Sequence, residues 1–218
     1  MTASSDPKTA PAPQRFRDRR AWEAWLRAHH ASSEGVWLQL AKAGAEEPGL
    51  SYAEAIEVAL CWGWIDGQKK GLDAQSWLQR FTPRRARSLW SKINRAKAEA
   101  LLADGRMQPA GLAEMERARA DGRWDEAYDG ARTASVPTDL QAAFDANRRA
   151  ADFFATLDGA NRYAVLWRVQ TAKRPETRAK RIAMLVDMLA RGEKIHERRG
   201  AVDESGARPA LTGASTRS

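Results

Sequence analysis

The sequence predicts an α+β protein that is predominantly helical, with a small antiparallel sheet in its first half and helices alone in its second half. Strand-like segments with β-branched and aromatic residues occur only before residue 105. Helical periodicity runs through both halves. The chain has 218 residues, 43% of them hydrophobic, which is enough apolar surface for a folded core.

The first elements follow from capping residues and alternation. Asp18 caps a first helix, and residues 35–40 alternate like a strand. Ser51 and Glu54 have the spacing of a capping box, which opens a second helix. That helix is expected to stop at Gly63 because glycine favours helix ends.

Two more strands and a third helix complete the first half. Residues 64–71 and 76–81 read as strands, the second cut by Pro83. Ser88 is the expected cap of a helix that runs to residue 103. Its expected inward face consists of Leu89, Ile93, Ala96 and Ala100.

After Gly105 the strand signals end. The last helix is the clearest, since Pro175 suits its first position and Gly192 its end. Its apolar stripe consists of Ile182, Leu185, Val186 and Leu189. The predicted helices of this half cover residues 109–121, 137–146, 149–157, 160–172 and 175–191.

The predicted organisation has four parts. Residues 1–14 and 200–218 are poor in large apolar residues and are expected to be disordered tails. Residues 15–105 form the α+β part with the small sheet of about three short strands. Residues 106–199 form the helical part.

Several function classes are disfavoured by composition. No window of 18 apolar residues exists, so no membrane insertion is expected. Residues 1–14 lack the apolar stretch of a secretory signal, and Cys61 is the single cysteine; both favour the cytoplasm. Nucleotide-loop, zinc-protease and serine-hydrolase motifs are absent. We expect no metal and no cofactor, and no catalytic residue can be named.

Charge is uneven along the chain. The net charge is +8, with a pI near 10.0. Residues 80–97 contain seven Arg or Lys and no Asp or Glu, and residues 173–199 contain nine basic and four acidic residues. Residues 99–158 between them contain twelve acidic and seven basic residues. These blocks indicate either an anionic partner or a solubilising surface with internal pairing.

Two segments carry the candidate ligand-binding residues. In the first, Trp62 and Trp64 are expected on opposite sides of the chain, one buried and one exposed, and Trp64 and Asp66 supply the wall and acidic contact of a pocket. A tightly packed corner explains the same residues. In the second, cations alternate with aromatic rings and hydroxyl groups before a helix, which suits phosphate or carboxylate. Its candidates are Arg80, Thr82, Arg84, Arg85, Trp90 and Asn94, and Phe81 and Trp90 are the rings expected to stack on a planar group.

The order of these motifs resembles the YdeI/OmpD-associated family, also labelled OmdA or bacteriocin-protection. The resemblance rests on Trp22-x-x-Trp25-Leu26, on residues 60–67 and 80–84, and on Ser88-x-Trp90-Ser91-x-x-Asn94, and it extends over residues 15–194. It implies a role in tolerance of bacteriocins, antimicrobial peptides or stress, and association with an outer-membrane porin. The sequence has no secretory signal at its start, and this departure from the family argues against a porin contact here.

Three functions remain open. The first is a non-enzymatic protein that binds an anionic or planar ligand in a Trp/Arg-lined groove. The second is an enzyme for a small anionic substrate, with Asp66 as acid/base and Arg80 and Arg84 holding the anion. The third is a weak, non-specific nucleic-acid binder that uses both basic blocks.

Overall fold

The computed structural model of the chain describes residues 12–47 and 49–196. Within these ranges the chain forms three strands and eight helices, which confirms the α+β class with helices dominant. The elements, in chain order, are α1 (Arg19–His29), β1 (Val36–Ala41), α2 (Tyr52–Cys61), β2 (Trp64–Gly71), β3 (Ser76–Pro83), α3 (Lys92–Ala103), α4 (Pro109–Ala120), α5 (Thr138–Asp145), α6 (Arg148–Ala155), α7 (Gly159–Gln170) and α8 (Pro175–Ala190).

The sheet is antiparallel, with β3 in the middle and β1 and β2 on its two sides. Phe81 of β3 lies opposite Val36 of β1 and Asp66 of β2. Along β1, buried residues alternate with partly exposed ones. Since successive side chains of a strand point to opposite faces, one face of the sheet belongs to the core and the other is more open.

The chain divides into two compact units at residues 133 and 134. In the first unit, the buried face of the sheet and α1 to α4 enclose one core, which includes Trp22, Leu38, Ile56, Phe81 and Met115. Helix α4 belongs to this unit, whereas we predicted that the helical part begins at residue 106. The reason is close packing: a Cβ on Gly111 would lie 2.3 Å from the Cys61 carbonyl oxygen, so only glycine lets α4 approach α2 this closely.

The second unit consists of α5 to α8 around its own core. The predicted stripe of α8 is buried there, with Pro175 at the first turn and Gly192 at φ 78° after the helix. Arg178 of α8 binds the Asp139 carboxylate of α5 and the Val169 carbonyl oxygen of α7. Core residues of this unit include Leu140, Phe144, Phe154, Val165, Leu185 and Leu189.

The helix caps were predicted with one error. Asp18 caps α1, and Ser51 and Glu54 form the capping box of α2, as predicted. Ser91, not Ser88, caps α3. The backbone before α3 stays extended because the Lys92 and Tyr128 amides bond across to the Tyr128 and Trp90 carbonyl oxygens, at 2.9 and 3.0 Å.

This later start also changes the buried face of α3. Leu89 and Ile93, predicted to point inward, are 39% and 51% exposed. Ala98 and Leu101 are buried instead. The predicted inward face of α3 was therefore wrong.

The predicted tails lie mostly outside the described residues. Gln14, which we placed in the first tail, pairs with β1: its amide donates to the Trp37 carbonyl oxygen at 2.8 Å and its carbonyl oxygen accepts from Gln39 at 2.9 Å. The ordered backbone therefore includes Gln14. No helix in residues 12–47 or 49–196 has the length and apolar character needed to cross a membrane.

Candidate functional site

An irregularity in β2 shapes the candidate site. The pairing of β2 with β3 shifts register between Asp66 and Lys69, which leaves Gly67 and Gln68 as a bulge. The buried Gln79 side chain donates to both bulge carbonyl oxygens, at 3.0 Å to Gly67 and 3.2 Å to Gln68. Bulges re-aim side chains and often lie next to functional sites. Here the bulge forms part of the wall of a cleft.

The cleft has a volume of about 730 Å³ and lies in the first unit. Its charged residues are three arginines and one glutamate. None of the three guanidinium groups lies within 4.0 Å of a carboxylate in the described residues, so their charge is not neutralised by an ion pair there. The lining residues are Glu34, Gly67, Gln68, Arg80, Thr82, Pro83, Arg84 and Arg85.

Arg84 is buried, with 6% of its surface exposed. Its guanidinium carbon lies 3.5 Å from the centroid of the Trp90 ring, and Nη1 donates to the Leu89 carbonyl oxygen at 3.3 Å. Among the residues that the structure describes, Nε and Nη2 find no hydrogen-bond partner. Burial lowers the pKa of Arg84 to about 10, because loss of water disfavours the charged form. A buried cation with two unpaired donors makes the adjoining cleft attractive to an anion.

Asp66 belongs to a neighbouring group of polar side chains. The Tyr52 hydroxyl donates to the Asp66 carboxylate at 2.9 Å. Burial, and then the Asp66 charge, raise the pKa of both Tyr52 and Tyr128. The charges of Glu114 and, less strongly, of Asp66 favour the protonated form of Arg84 and oppose the effect of burial on its pKa. The hydrogen bond from Tyr52 fixes the position of the Asp66 carboxylate. The role of Asp66 as an acid/base group stays a prediction.

The tryptophans named from the sequence do not line the cleft. Trp62 and Trp64 are 8% and 1% exposed, so the expectation that one of them is exposed was wrong. The Trp64 indole donates to the His30 carbonyl oxygen at 3.1 Å, and its ring meets Trp25 edge-on with centroids 5.8 Å apart. Of the two explanations given for this corner, the packed one, which was the alternative, describes Trp62 and Trp64 here.

The two rings expected to stack on a ligand are also in the core. Phe81 is 0% and Trp90 is 2% exposed, so neither offers a face to a base. Phe81 points inward because it lies opposite Val36 in the sheet. Asn94 lies in the first turn of α3, where its backbone N–H donates to Ser91 Oγ at 3.1 Å. The structure therefore brings together Arg80, Thr82, Arg84 and Arg85 and leaves out Trp62, Trp64, Trp90 and Asn94.

Other residues at the site were missed from the sequence. Glu34, Gly67 and Gln68 reach the cleft through the start of β1 and the bulge, and nothing local marks them. Trp37 could have been found from the sequence. In the alternating strand β1, its side chain lies on the face of the sheet that does not carry the buried Val36 and Leu38. Within the described ranges, no three His, Cys, Asp or Glu side chains gather closely enough to hold a metal ion.

Comparison with known proteins separates the chain into two matched regions. Residues 14–114 match a family model described as a domain of unknown function (DUF8412). Residues 133–192 match the family model described as bacteriocin-protection, YdeI or OmpD-associated (OmdA). None of the curated proteins and none of the solved structures matches the chain significantly.

The second match confirms the family that the sequence suggested, over part of the chain. Most of the motifs that carried the resemblance, including residues 60–67 and 80–84, lie in the first region. The confirmed match covers α5 to α8, the helices of the second unit. The chain therefore carries, over residues 133–192, a region of the bacteriocin-protection, YdeI or OmpD-associated family.

Proposed function

We propose that this chain is a binding protein whose first unit captures a small anion, such as phosphate, in the cleft beside the β2 bulge. One observation carries the proposal. Arg80, Arg84 and Arg85 line the same cleft and none of them has a carboxylate partner in the described part of the chain. Among the residues that line the cleft, these three cations meet one carboxylate, that of Glu34. Glu114 and Asp66 act on Arg84 from outside that lining.

The three arginines differ in what they supply. Arg85 is exposed and Arg80 is partly exposed, and a guanidinium group can bind an anion through paired N–H donors. Arg84 lies beneath, where low polarity strengthens its attraction for a negative charge. Thr82 adds a hydroxyl donor on the same wall. This set of N–H and O–H donors suits the binding of an anion.

Phosphate binding to the folded protein provides the test. Binding with a dissociation constant of about 1 mM would add about 1.4 kcal/mol of stability at about 10 mM phosphate. The melting temperature should then rise by about 3–6 °C. The measurement is thermal unfolding with phosphate against chloride at matched ionic strength, because unmatched salt would screen all charges.

The variant for this test changes Arg80 and Arg85 together to Ala. Both are chosen because neither guanidinium group donates a hydrogen bond within the described residues, whereas Arg84 packs in the core. The charge-matched control changes Arg132 and Arg149 to Ala, two exposed arginines outside the cleft. The cleft variant should lose the gain in melting temperature and the control should keep it. Equal gains in both variants would place the anion elsewhere.

The family description suggests the cellular setting. We propose that anion capture serves tolerance of bacteriocins or related antimicrobial stress, as the family's name indicates. A host that lacks its own copy of the gene would be challenged with a bacteriocin, with and without expression of the chain. Survival that depends on Arg80 and Arg85 supports this role. Survival unchanged by expression would contradict it.

A further inference from the structure

The open face of the sheet carries a tryptophan, Trp37, that has no part in the proposed anion site. Trp37 lies on β1 directly opposite Arg80 of β3. Side chains of directly opposed residues point to the same face, and here that is the face turned away from the buried Val36 and Leu38. Trp37 is partly exposed.

Cations rather than aromatic rings surround Trp37. The Lys70 ammonium lies 4.5 Å from the centroid of its ring, and the Arg80 guanidinium carbon lies 6.0 Å away. In the described part of the chain it stacks on no other aromatic ring, and its indole N–H makes no hydrogen bond. Lys70 is exposed and flexible enough to leave the ring. Trp37 thus has a ring face and a donor available to a planar group.

Arg80 connects this ring to the anion cleft, since it flanks Trp37 and lines the cleft as well. We propose that the ligand is a nucleotide, with its phosphate held by Arg80 and Arg85 and its base stacked on Trp37. This inference rests on the proposed anion site. Stacking suits any base because every base has a π-face. The cations around Trp37 also suit a base that is joined through its ribose to a negatively charged phosphate.

Three ligands separate the contributions: inorganic phosphate, ribose 5-phosphate and AMP, each titrated by calorimetry. We expect AMP to bind about tenfold more tightly than ribose 5-phosphate, which corresponds to about 1.4 kcal/mol and lies within the range of one base–aromatic stack. A Trp37→Leu variant should lose this factor of about ten while its phosphate affinity changes less than about twofold.

Trp77 offers a matched control. It is also a partly exposed tryptophan of the sheet and also carries a lysine on its ring, Lys69 at 4.0 Å. It lies on the opposite face, however, because it pairs with the buried Leu40. The Trp77→Leu variant should keep the full preference for AMP. Circular dichroism checks that both variants are folded at the temperature of the titration.

The outcomes separate this inference from the function on which it rests. Equal binding of AMP and ribose 5-phosphate, or a preference for AMP that survives Trp37→Leu, would overturn the stacking while phosphate binding still supports the anion site. Absence of binding for all three ligands would overturn both. A short oligoadenylate provides the last arm. Binding far tighter than AMP, with a steep salt dependence, identifies the nucleotide as part of a strand; equal binding identifies a free nucleotide.

Discussion

The hydroxyl of Tyr52, at the start of α2, donates a hydrogen bond of 2.9 Å to the carboxylate of Asp66, at the start of β2. This bond joins the first residue of α2 to a residue of β2, the next element along the chain. Tyr128 lies close enough for the same carboxylate to raise its pKa. Asp66 is therefore the charge against which two tyrosines must ionise.

This relationship predicts the behaviour of the protein at high pH. Burial, and then the charge of Asp66, raise the pKa of Tyr52 above its ordinary value of 10.0. The folded state thus favours the protonated hydroxyl, and its stabilising contribution is complete below about pH 10 and is lost as pH rises further. An absorbance titration of tyrosinate should show a late-ionising component that Tyr52→Phe diminishes.

Two variants complete that experiment. Asp66→Asn should move the late component toward ordinary pKa values without abolishing the shift, because burial remains. Tyr163→Phe removes a tyrosine of the second unit and should leave the component in place. A titration curve that is the same in Tyr52→Phe as in the wild type would show that Tyr52 does not ionise late.

The buried Arg84 predicts a difference between two substitutions. Arg84→Ala removes the packing on Trp90 and the bond to Leu89 and should cost about 2–3 kcal/mol, as other large-to-small core changes do. Arg84→Met keeps most of the packing and removes a buried charge without an ion-pair partner, so its cost should stay below about 1 kcal/mol. Urea unfolding measures both. Equal losses would mean that the charge itself stabilises the fold.

Features that depend on neighbouring residues were predicted from the sequence. The caps at Asp18 and Ser51 and the stripe of α8 involve side chains within a few residues of each other, so spacing alone specifies them. The start of α3 depends instead on the backbone bonds between Ser91's neighbours and Tyr128, far along the chain. No local pattern reports such a contact, which explains why Ser88 was chosen wrongly.

The candidate site was likewise predicted in part, where its residues are neighbours in sequence. Arg80, Thr82, Arg84 and Arg85 meet at one cleft because they follow each other at the end of β3. The tryptophans were misassigned because the same sequence pattern, an aromatic residue near a charged one, occurs both in protein cores and in ligand pockets. The pairing of the strands and the burial of their side chains show that Trp64 and Phe81 face inward while Trp37 faces outward.

Gly35 should be irreplaceable at the start of β1. Its φ of +130° disfavours any residue with a Cβ, and an added Cβ would lie 2.7 Å from the Phe81 carbonyl oxygen and 2.8 Å from Nη2 of Arg80. We expect Gly35→Ala to cost about 2 kcal/mol or more and to weaken phosphate binding by displacing Arg80.

Gly71 is the matched control for this change. It ends β2, has no positive φ, and an added Cβ there meets nothing within 4 Å. Gly71→Ala should therefore change stability by less than about 0.5 kcal/mol. Denaturant unfolding of both variants decides the matter: similar costs at the two positions would contradict the strain assigned to Gly35.

In the second unit, Arg178 should contribute more than other arginines that form ion pairs. It donates to the Asp139 carboxylate at 2.5 and 2.9 Å and to the Val169 carbonyl oxygen at 2.7 Å, so one side chain joins α5, α7 and α8. Arg178→Ala should cost about 1–2 kcal/mol, a range reduced for partial exposure. Arg191 forms its ion pairs near the exposed end of α8, and Arg191→Ala should cost clearly less than Arg178→Ala because exposed ion pairs contribute little.

The pH dependence separates the ion pair from the packing. The hydrogen bonds from Arg178 hold the pKa of Asp139 below its ordinary value of 3.8. The carboxylate's stabilising contribution is therefore present above about pH 4 and is lost as pH falls through the lowered value. The stability gap between the wild type and Arg178→Ala should narrow between pH 7 and pH 3 in urea unfolding, while Arg191→Ala shows a small gap throughout. A gap that stays constant would assign the contribution of Arg178 to its bond with Val169 and not to Asp139.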